Sequence, residues 1–255
     1  MPLLEGARAL VIGVANERSI AWGIAQALAR EGARLGFTYL GETLERRVRP
    51  LAESLSADLI APCDVQDDAQ IDALFAEVDR VWGGLDVLIH AVAFANREDL
   101  SGRFLDTSRQ GFHLALDVSA YSLVALARAS APRMKNGGSI LTLSFAGSQR
   151  VFPNYNVMGV AKAALEAEVR YLAAELGESG IRVNAISAGP IKTLSAAGIK
   201  GFRDMLHYAG ERSPLKRNVS LEDVAGMALA LVGPGGAGVT GQVIYVDAGL
   251  SILGV

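Results

Sequence analysis

The stretch Ala7-Arg8-Ala9-Leu10-Val11-Ile12-Gly13-Val14-Ala15-Asn16-Glu17-Arg18-Ser19-Ile20 decides the fold. Ala9 to Ile12 is apolar at every position, the pattern of a strand buried on both faces. Gly13 ends that strand, and Ser19 stands at a helix N-cap before the helical run Ile20 to Arg30. A buried strand, a short glycine turn and a helix open a parallel α/β unit. In such a unit the helix N-terminus holds phosphate groups. Gly13 lets the backbone approach a ligand, while the free N–H groups and positive dipole end at Ser19 and Ile20 attract a pyrophosphate. Gly23, one turn into the helix, is expected to let it pack closely on the first strand. The spacing is not G-x-G-x-x-G, so the loop suggests a nucleotide without specifying which.

Outward from this unit the same alternation repeats. Ala9–Ile12, Leu35–Tyr39, Asp58–Ala61, Val87–His90, Ser139–Leu143, Arg182–Ile186 and Gln242–Val246 read as seven strands. Helices are expected at Ile20–Arg30, Thr43–Ser54, Gln70–Val81, Gln110–Arg133, Ala161–Leu176 and Leu221–Leu231. Strands separated by helical crossovers predict a Rossmann-like, doubly wound parallel sheet of seven strands with helices on both faces. No repeat, low-complexity tract or linker divides residues 1–255, so one dinucleotide-binding catalytic domain is expected. The Gly-rich stretch Gly233 to Gly238 reads as a turn between the last helix and the last strand.

Composition narrows the function. Hydrophobic residues make up 51% of the chain, enough to cover a large sheet on both faces. A formal net charge of -3 provides no general positive field for nucleic acid or anionic lipid, so no nucleic-acid or membrane partner is expected. Cys63 is the single cysteine, which excludes an intrachain disulfide and gives no zinc cluster. No metal is expected, and a reducing compartment fits. No secretory signal pattern and no apolar run of membrane-spanning length are read, so a cytoplasmic location is the expectation.

The predicted strands end at one edge of the sheet, where this architecture places ligands. Tyr39-Leu40 follows the second strand, Asp64-Val65 the third and His90-Ala91-Val92-Ala93 the fourth. Asp64 is suited either to accept from an adenine amino group, with Val65 on the ring, or to cap the following helix. His90 is expected to satisfy a local hydrogen bond rather than to act as acid or base. Leu40-Gly41-Glu42 offers no Lys or Arg where a 2′-phosphate would sit. That favours NADH over NADPH, although Arg46 and Arg47 lie one turn further on. Farther along, Tyr155 and Lys162 are seven positions apart. On a helix this is two turns, which places a phenol and an ammonium on one face, suited to stabilising an oxyanion.

Gly13 with Ser19-Ile20-Ala21, Asp64-Val65, His90-Ala91-Val92-Ala93-Phe94-Ala95, Tyr155 to Lys162 and Val183-Asn184-Ala185-Ile186-Ser187-Ala188-Gly189-Pro190 together resemble the enoyl-acyl carrier protein reductases of bacterial type II fatty acid synthesis. These belong to the short-chain dehydrogenase/reductase superfamily. The likeness spans essentially the whole chain. Ordinary members of that superfamily carry Tyr-x-x-x-Lys; this chain resembles the enoyl reductases in placing six residues between Tyr155 and Lys162.

The resemblance implies hydride transfer from NADH to a trans-2-enoyl thioester on acyl carrier protein, the last step of the fatty acid elongation cycle. It implies that Tyr155 meets the thioester oxygen and that Lys162 holds the nicotinamide ribose. It further places Gly13, Ser19, Ile20, Leu40, Asp64, Val65, Val92 and the run Ile191-Lys192-Thr193-Leu194-Ser195 against the cofactor, with Ala95 beside the thioester. Two residues depart from the family pattern. Phe145 stands where many members have a second tyrosine, leaving an aromatic wall without a hydroxyl. Leu40 stands where relatives often place Gln.

From Thr193 to Tyr208 small and apolar residues dominate, and a lid helix over an acyl channel is expected at 193–208. Ala196, Ile199, Phe202 and Met205 are its candidate substrate contacts. Lys200 and Arg203 are candidates to meet the acidic carrier. Related enzymes are usually homotetramers, and the same assembly is expected here. Two other readings are a ketone or alcohol dehydrogenase, disfavoured by the Tyr155 to Lys162 spacing, and a dinucleotide-binding protein without turnover.

Overall fold

A computed structural model describes residues 2–194, 196 and 200–254. Seven strands form one parallel sheet: β1 Arg8–Ile12, β2 Arg34–Tyr39, β3 Leu59–Pro62, β4 Val87–His90, β5 Gly138–Ser144, β6 Ile181–Ala188 and β7 Val243–Val246. Their order is β3-β2-β1-β4-β5-β6-β7. The chain reverses direction across the sheet after β3, so β1 and β4 are neighbours whose connections leave on opposite sides. A crevice therefore opens at their C-terminal ends. The doubly wound expectation is borne out, and each predicted strand exists to within two residues at either end.

The apolar runs are buried on both faces because two helical layers cover them. Leu10, Ile12, Leu88, Ile140, Val183 and Ala185 point into one core cluster. That cluster is completed by α3 Asp68–Trp82, by Ala120, Leu123 and Leu126 from the helical stretch before β5, and by α7 Asn156–Leu176. Ala9, Val11, Ile89, Leu141 and Ile186 point into the other, beneath α1 Ile20–Arg30, α2 Gly41–Ser54 and α9 Leu221–Val232. Alternate positions along each strand thus enter different cores, as the period of two requires.

A short helix, α4 Arg97–Leu100, follows β4 and has no counterpart among the predicted helices. The predicted helix Gln110–Arg133 is not uniform. α5 Arg109–Leu116 and α6 Ser122–Ser130 are joined by a π-helical segment, Asp117–Tyr121, and a 3₁₀ turn closes it at Ala131–Arg133. Arg109–Arg133 is the one stretch among the described residues long and apolar enough to span a membrane. It lies largely in the core. The predicted lid helix is corrected: α8 spans Phe202–Arg212, beginning nine residues later than expected. Gly201 precedes it in the left-handed region, φ 79°, and the segment from Ile191 to Thr193 is irregular.

Central burial predicts the cost of opening this core. Leu88 lies on β4 with none of its surface exposed. Leu88→Ala is expected to lower stability by about 2–5 kcal/mol, read as a lower denaturant midpoint with an unchanged m-value.

Candidate active site

The site is assembled at the C-terminal ends of the strands. At the end of β1, Gly13 has φ 108°, and a Cβ there would run into the carbonyl of Ala91. The glycine is required by the β4 backbone beside it, as well as by any ligand approach. Ser19 is buried, and its Oγ accepts from the N–H groups of Ala15 at 3.0 Å and Asn16 at 3.1 Å. This ties the loop back to the start of α1.

Ser19 also spends its own N–H on the Asn16 carbonyl at 3.1 Å, so the expected role of that N–H in holding a pyrophosphate is corrected. The N–H groups of Ile20 and Ala21, at the first two helical positions, have no intrahelical acceptor. No acidic residue occupies the first turn, so the dipole end remains suited to an anion. Gly23 is also corrected: its missing Cβ makes room for Leu221 at the start of α9, rather than for β1.

At the end of β2, Leu40 is 54% exposed, and Gly41 turns the chain with φ 69° into α2. Arg46 sits 3.6 Å from Glu42 on the solvent face of that helix. Asp64 and Val65 follow β3 as expected. The helix-capping alternative for Asp64 is corrected, because Asp67 caps α3 by accepting from Ala69 and Gln70. Asp64 Oδ1 instead accepts from Gln66 N–H at 3.0 Å. Cys63, just before it, is buried; apolar surroundings, then Asp64 and Asp67, push its thiol up to about 11, so it is inert.

His90 ends β4 in full burial. Its Nε2 lies 2.8 Å from Ser122 Oγ, and its Nδ1 lies 2.8 Å from Thr142 Oγ1. Ser122 Oγ donates to the Val118 carbonyl at 2.7 Å, so it must accept from His90. The proton is therefore on Nε2, and Thr142 donates to Nδ1. Burial, then the nearby Lys162 charge, lowers His90 to about 3. It remains neutral and structural.

Beyond it, Val92 is half-buried, and Phe94 is fixed to Ser119, whose Oγ accepts from its N–H at 2.9 Å and donates to its carbonyl at 3.0 Å. Ser119 lies in the π-helical segment, where the widened turn aims it at the β4 loop. Sequence reasoning missed Ser119; a lone serine in an apolar helix was the available signal.

Tyr155 and Lys162 are both buried. The expectation that one helix carries them two turns apart is corrected, because α7 begins at Asn156 and Tyr155 immediately precedes it. Tyr155 is placed by its neighbours: Asn154 and Asn156 have φ 61° and 35°, left-handed values for which asparagine is among the better-suited residues. Asn154 Nδ2 donates to the Lys200 carbonyl at 3.0 Å, and Asn156 Nδ2 donates to the Gly102 carbonyl at 3.3 Å. The Asn-Tyr-Asn pattern was the signal for this special backbone.

The Tyr155 ring meets Phe145 edge-on, centroids 5.0 Å apart, and Phe145 packs on Phe152 at 4.8 Å. Ala95, Leu100, Leu116 and Met158 complete an apolar patch around it. Burial, then the Glu166 carboxylate, holds the Tyr155 hydroxyl well above its ordinary range, so it stays protonated. Lys162 Nζ donates to the Leu143 carbonyl at 2.8 Å. Burial lowers Lys162 to about 8, against the opposing pull of Glu166.

The loop after β6 brings Ile191, Lys192, Thr193 and Leu194 to the same edge, with Thr193 Oγ1 accepting from Ala196 N–H at 3.1 Å. Phe202 and Met205 are half-buried on α8. Ser195 and Ile199 lie outside the described residues. A cleft beside Phe145 is lined by Phe152, Ser187, Gly189 and Pro190. A larger cleft of about 470 Å³ lies between α1, the end of α2 and the start of α9, and contains none of the candidate site residues. No cluster of metal-ligating side chains occurs among the described residues.

The arrangement has a glycine turn and open helix N-terminus on one side, and a buried phenol and ammonium beside an apolar patch on the other. The residues fit a dinucleotide and an oxyanion-forming reaction. The family model described as enoyl-(acyl carrier protein) reductase matches residues 13–251. The NADH enoyl-acyl carrier protein reductase 1 of Rhizobium meliloti is 53% identical over 253 residues, spanning 99% of this chain and 93% of that protein. The corresponding NADH reductase of Nostoc is 54% identical, spanning 99% of both. The solved structure of the Bacillus cereus reductase with NADP+ and an indole naphthyridinone has a TM-score of 0.98 at 53% identity and covers 100% of both chains. That of Anaplasma phagocytophilum with NAD has a TM-score of 0.96 at 50% identity and covers 99% of this chain and 97% of that one. A fold, a site and relatives that agree over nearly the full length place this chain in the enoyl-acyl carrier protein reductase family.

Proposed function

We propose that the chain reduces the trans-2 double bond of enoyl thioesters carried on acyl carrier protein, with NADH as hydride donor, in the last step of fatty acid elongation. The reading is carried by Tyr155, a buried phenol held protonated at the strand edge and walled by apolar side chains. Bound NADH would supply a hydride to the β-carbon of the enoyl group, and a proton from water would complete the α-carbon. Tyr155 donates its hydrogen bond to the thioester oxygen, where negative charge develops. Lys162 holds the ribose hydroxyls, and its positive charge favours the same oxyanion. Phe145 and Ala95 flank the thioester and exclude water, and Phe145 itself has no proton to give.

For the cofactor, Gly13, Ser19 and Ile20 form the pyrophosphate turn, with Asp64 and Val65 at the adenine. Leu40 takes the adenosine ribose side, and Val92 with Ile191, Lys192, Thr193, Leu194 and Ser195 the nicotinamide side. NADPH is disfavoured because Leu40-Gly41-Glu42 presents no base and Arg46 faces Glu42. Residues 193–208 act as a lid over the acyl chain, through Ala196, Ile199, Phe202 and Met205. Its link to the site is the Asn154 bond to the Lys200 carbonyl. Exposed Lys200 and Arg203 beside α8 suit an acidic carrier. The protein works in the cytoplasm as a homotetramer, and the exposed Tyr121 of the π-helical segment and Tyr171 of α7 suit its interfaces.

A spectrophotometric assay with crotonyl thioester and NADH tests the activity. A ketone reductase would prefer the 3-oxoacyl substrate, and a protein without turnover would bind NADH and leave it reduced. Tyr155→Phe is expected to lower kcat by about 10²–10³-fold with little change in KM for NADH; full turnover would remove Tyr155 from the role. Because Lys162 is protonated only below about 8, kcat/KM is expected to fall as pH rises through that value. A profile flat to pH 10 would contradict a charged Lys162. Sedimentation should give the tetramer, and a monomer at working concentration would overturn the assembly.

A further inference from the structure

Glu166 is one helical turn beyond Lys162 on the same face of α7, and it is buried. A buried carboxylate is costly unless its oxygens are partnered. Here Oε1 accepts from Ser144 Oγ at 2.6 Å and from Ser148 Oγ at 2.7 Å. Ser144 is the last residue of β5, and Ser148 closes the short turn Ala146–Ser148 that follows it. Glu166 therefore fastens this turn to α7.

The turn bears directly on Tyr155. A Cβ on Gly147 would lie 2.5 Å from the Tyr155 ring, and a Cβ on Gly159 would lie 2.7 Å from the Gly147 carbonyl. Phe145, at the other side of the turn, meets the same ring at 5.0 Å. Turn, ring and the first turn of α7 are packed without space for one methyl group, so displacing the turn displaces the phenol.

We propose that Glu166 is a positioning residue for the reduction: its carboxylate clamps the turn after β5 so that Gly147 and Phe145 hold Tyr155, and it stands one helical turn from Lys162 on the same face of α7. The proposal rests on the roles given to Tyr155 and Lys162 above. The titratable groups facing this carboxylate are Tyr155 and Lys162 from its own end of the site and Tyr245 from β7, with His90 of β4 beyond Lys162. His90 is neutral, and Arg170 donates to the Glu166 main-chain carbonyl rather than to the carboxylate. Lys162 is thus the basic side chain on which Glu166 acts in the site.

The test is the pH profile of kcat/KM for crotonyl thioester and NADH. Glu166→Gln removes the charge and keeps the shape; the alkaline limb is expected to move to lower pH by about one unit, with kcat reduced more than KM for NADH. The double variant Ser144→Ala, Ser148→Ala keeps the acid but strips both hydrogen-bond donors from it; the limb is expected to move the same way by less. It also carries the test if Glu166→Gln does not fold. Glu175→Gln, on the exposed part of α7, is expected to leave the limb in place.

A lower melting temperature with an unmoved limb and an unchanged ratio of kcat to KM, in whichever of the two clamp variants folds, would reduce Glu166 to a structural residue and overturn the proposal. Absence of an alkaline limb in the unaltered enzyme would instead refute the role of Lys162, and so separates the two failures.

Discussion

The structure depends on the contact between two backbones at the point where the sheet divides. Gly13 leaves β1 with a positive φ and lies against the Ala91 carbonyl at the end of β4, with no space for a Cβ. That approach brings the two halves of the molecule to one crevice. On the β1 side are the turn closed by Ser19 and the free start of α1. On the β4 side are the loop held by Ser119 and, one and two strands further, the residues that surround Tyr155 and Lys162. The two halves differ in kind: one offers free N–H groups of the sort a phosphate needs, the other the dry walls that suit a reacting carbonyl.

The chemistry then follows from selective desolvation. His90, Tyr155 and Lys162, buried near α6 and α7, each have a different arrangement. His90 has both ring nitrogens bonded to neutral hydroxyls, and so it stays uncharged. Tyr155 is apolar on nearly every side and remains a proton-bearing donor. Lys162 retains a charge in the same region because a carbonyl accepts from it and a carboxylate stands one turn away. A buried ammonium without such partners would lose its proton. Ser144 at the end of β5 and Ser148 in the turn after it donate the hydrogen bonds that this buried carboxylate accepts.

Much of the fold was legible because burial on both faces leaves a local trace. Seven apolar runs separated by helical periods demand a parallel sheet with crossovers, and the observed elements follow that reading. The site was legible in part. Gly13, Tyr155 and Lys162 stand out by residue type and spacing, and their pattern resembled the family to which the chain belongs. Ser119, Asn154 and Asn156 were not seen, since a serine in an apolar helix and asparagines beside a tyrosine acquire meaning only from what they bond. The lid helix was placed too early because apolar spacing does not report the Gly201 conformation that starts α8 at Phe202.

Sequence alone determined the alternation of strands and helices, the sheet they must form and the residue types available for chemistry, because periodicity and side-chain chemistry are properties of a continuous segment. Tertiary structure decided that Gly23 faces Leu221, that Tyr155 stands before its helix rather than on it, and that Glu166 reaches back to Ser144 and Ser148. These are contacts between residues distant in the chain. Their energy comes from excluded volume and from polar partners withdrawn from water, neither of which exists until the layers have closed.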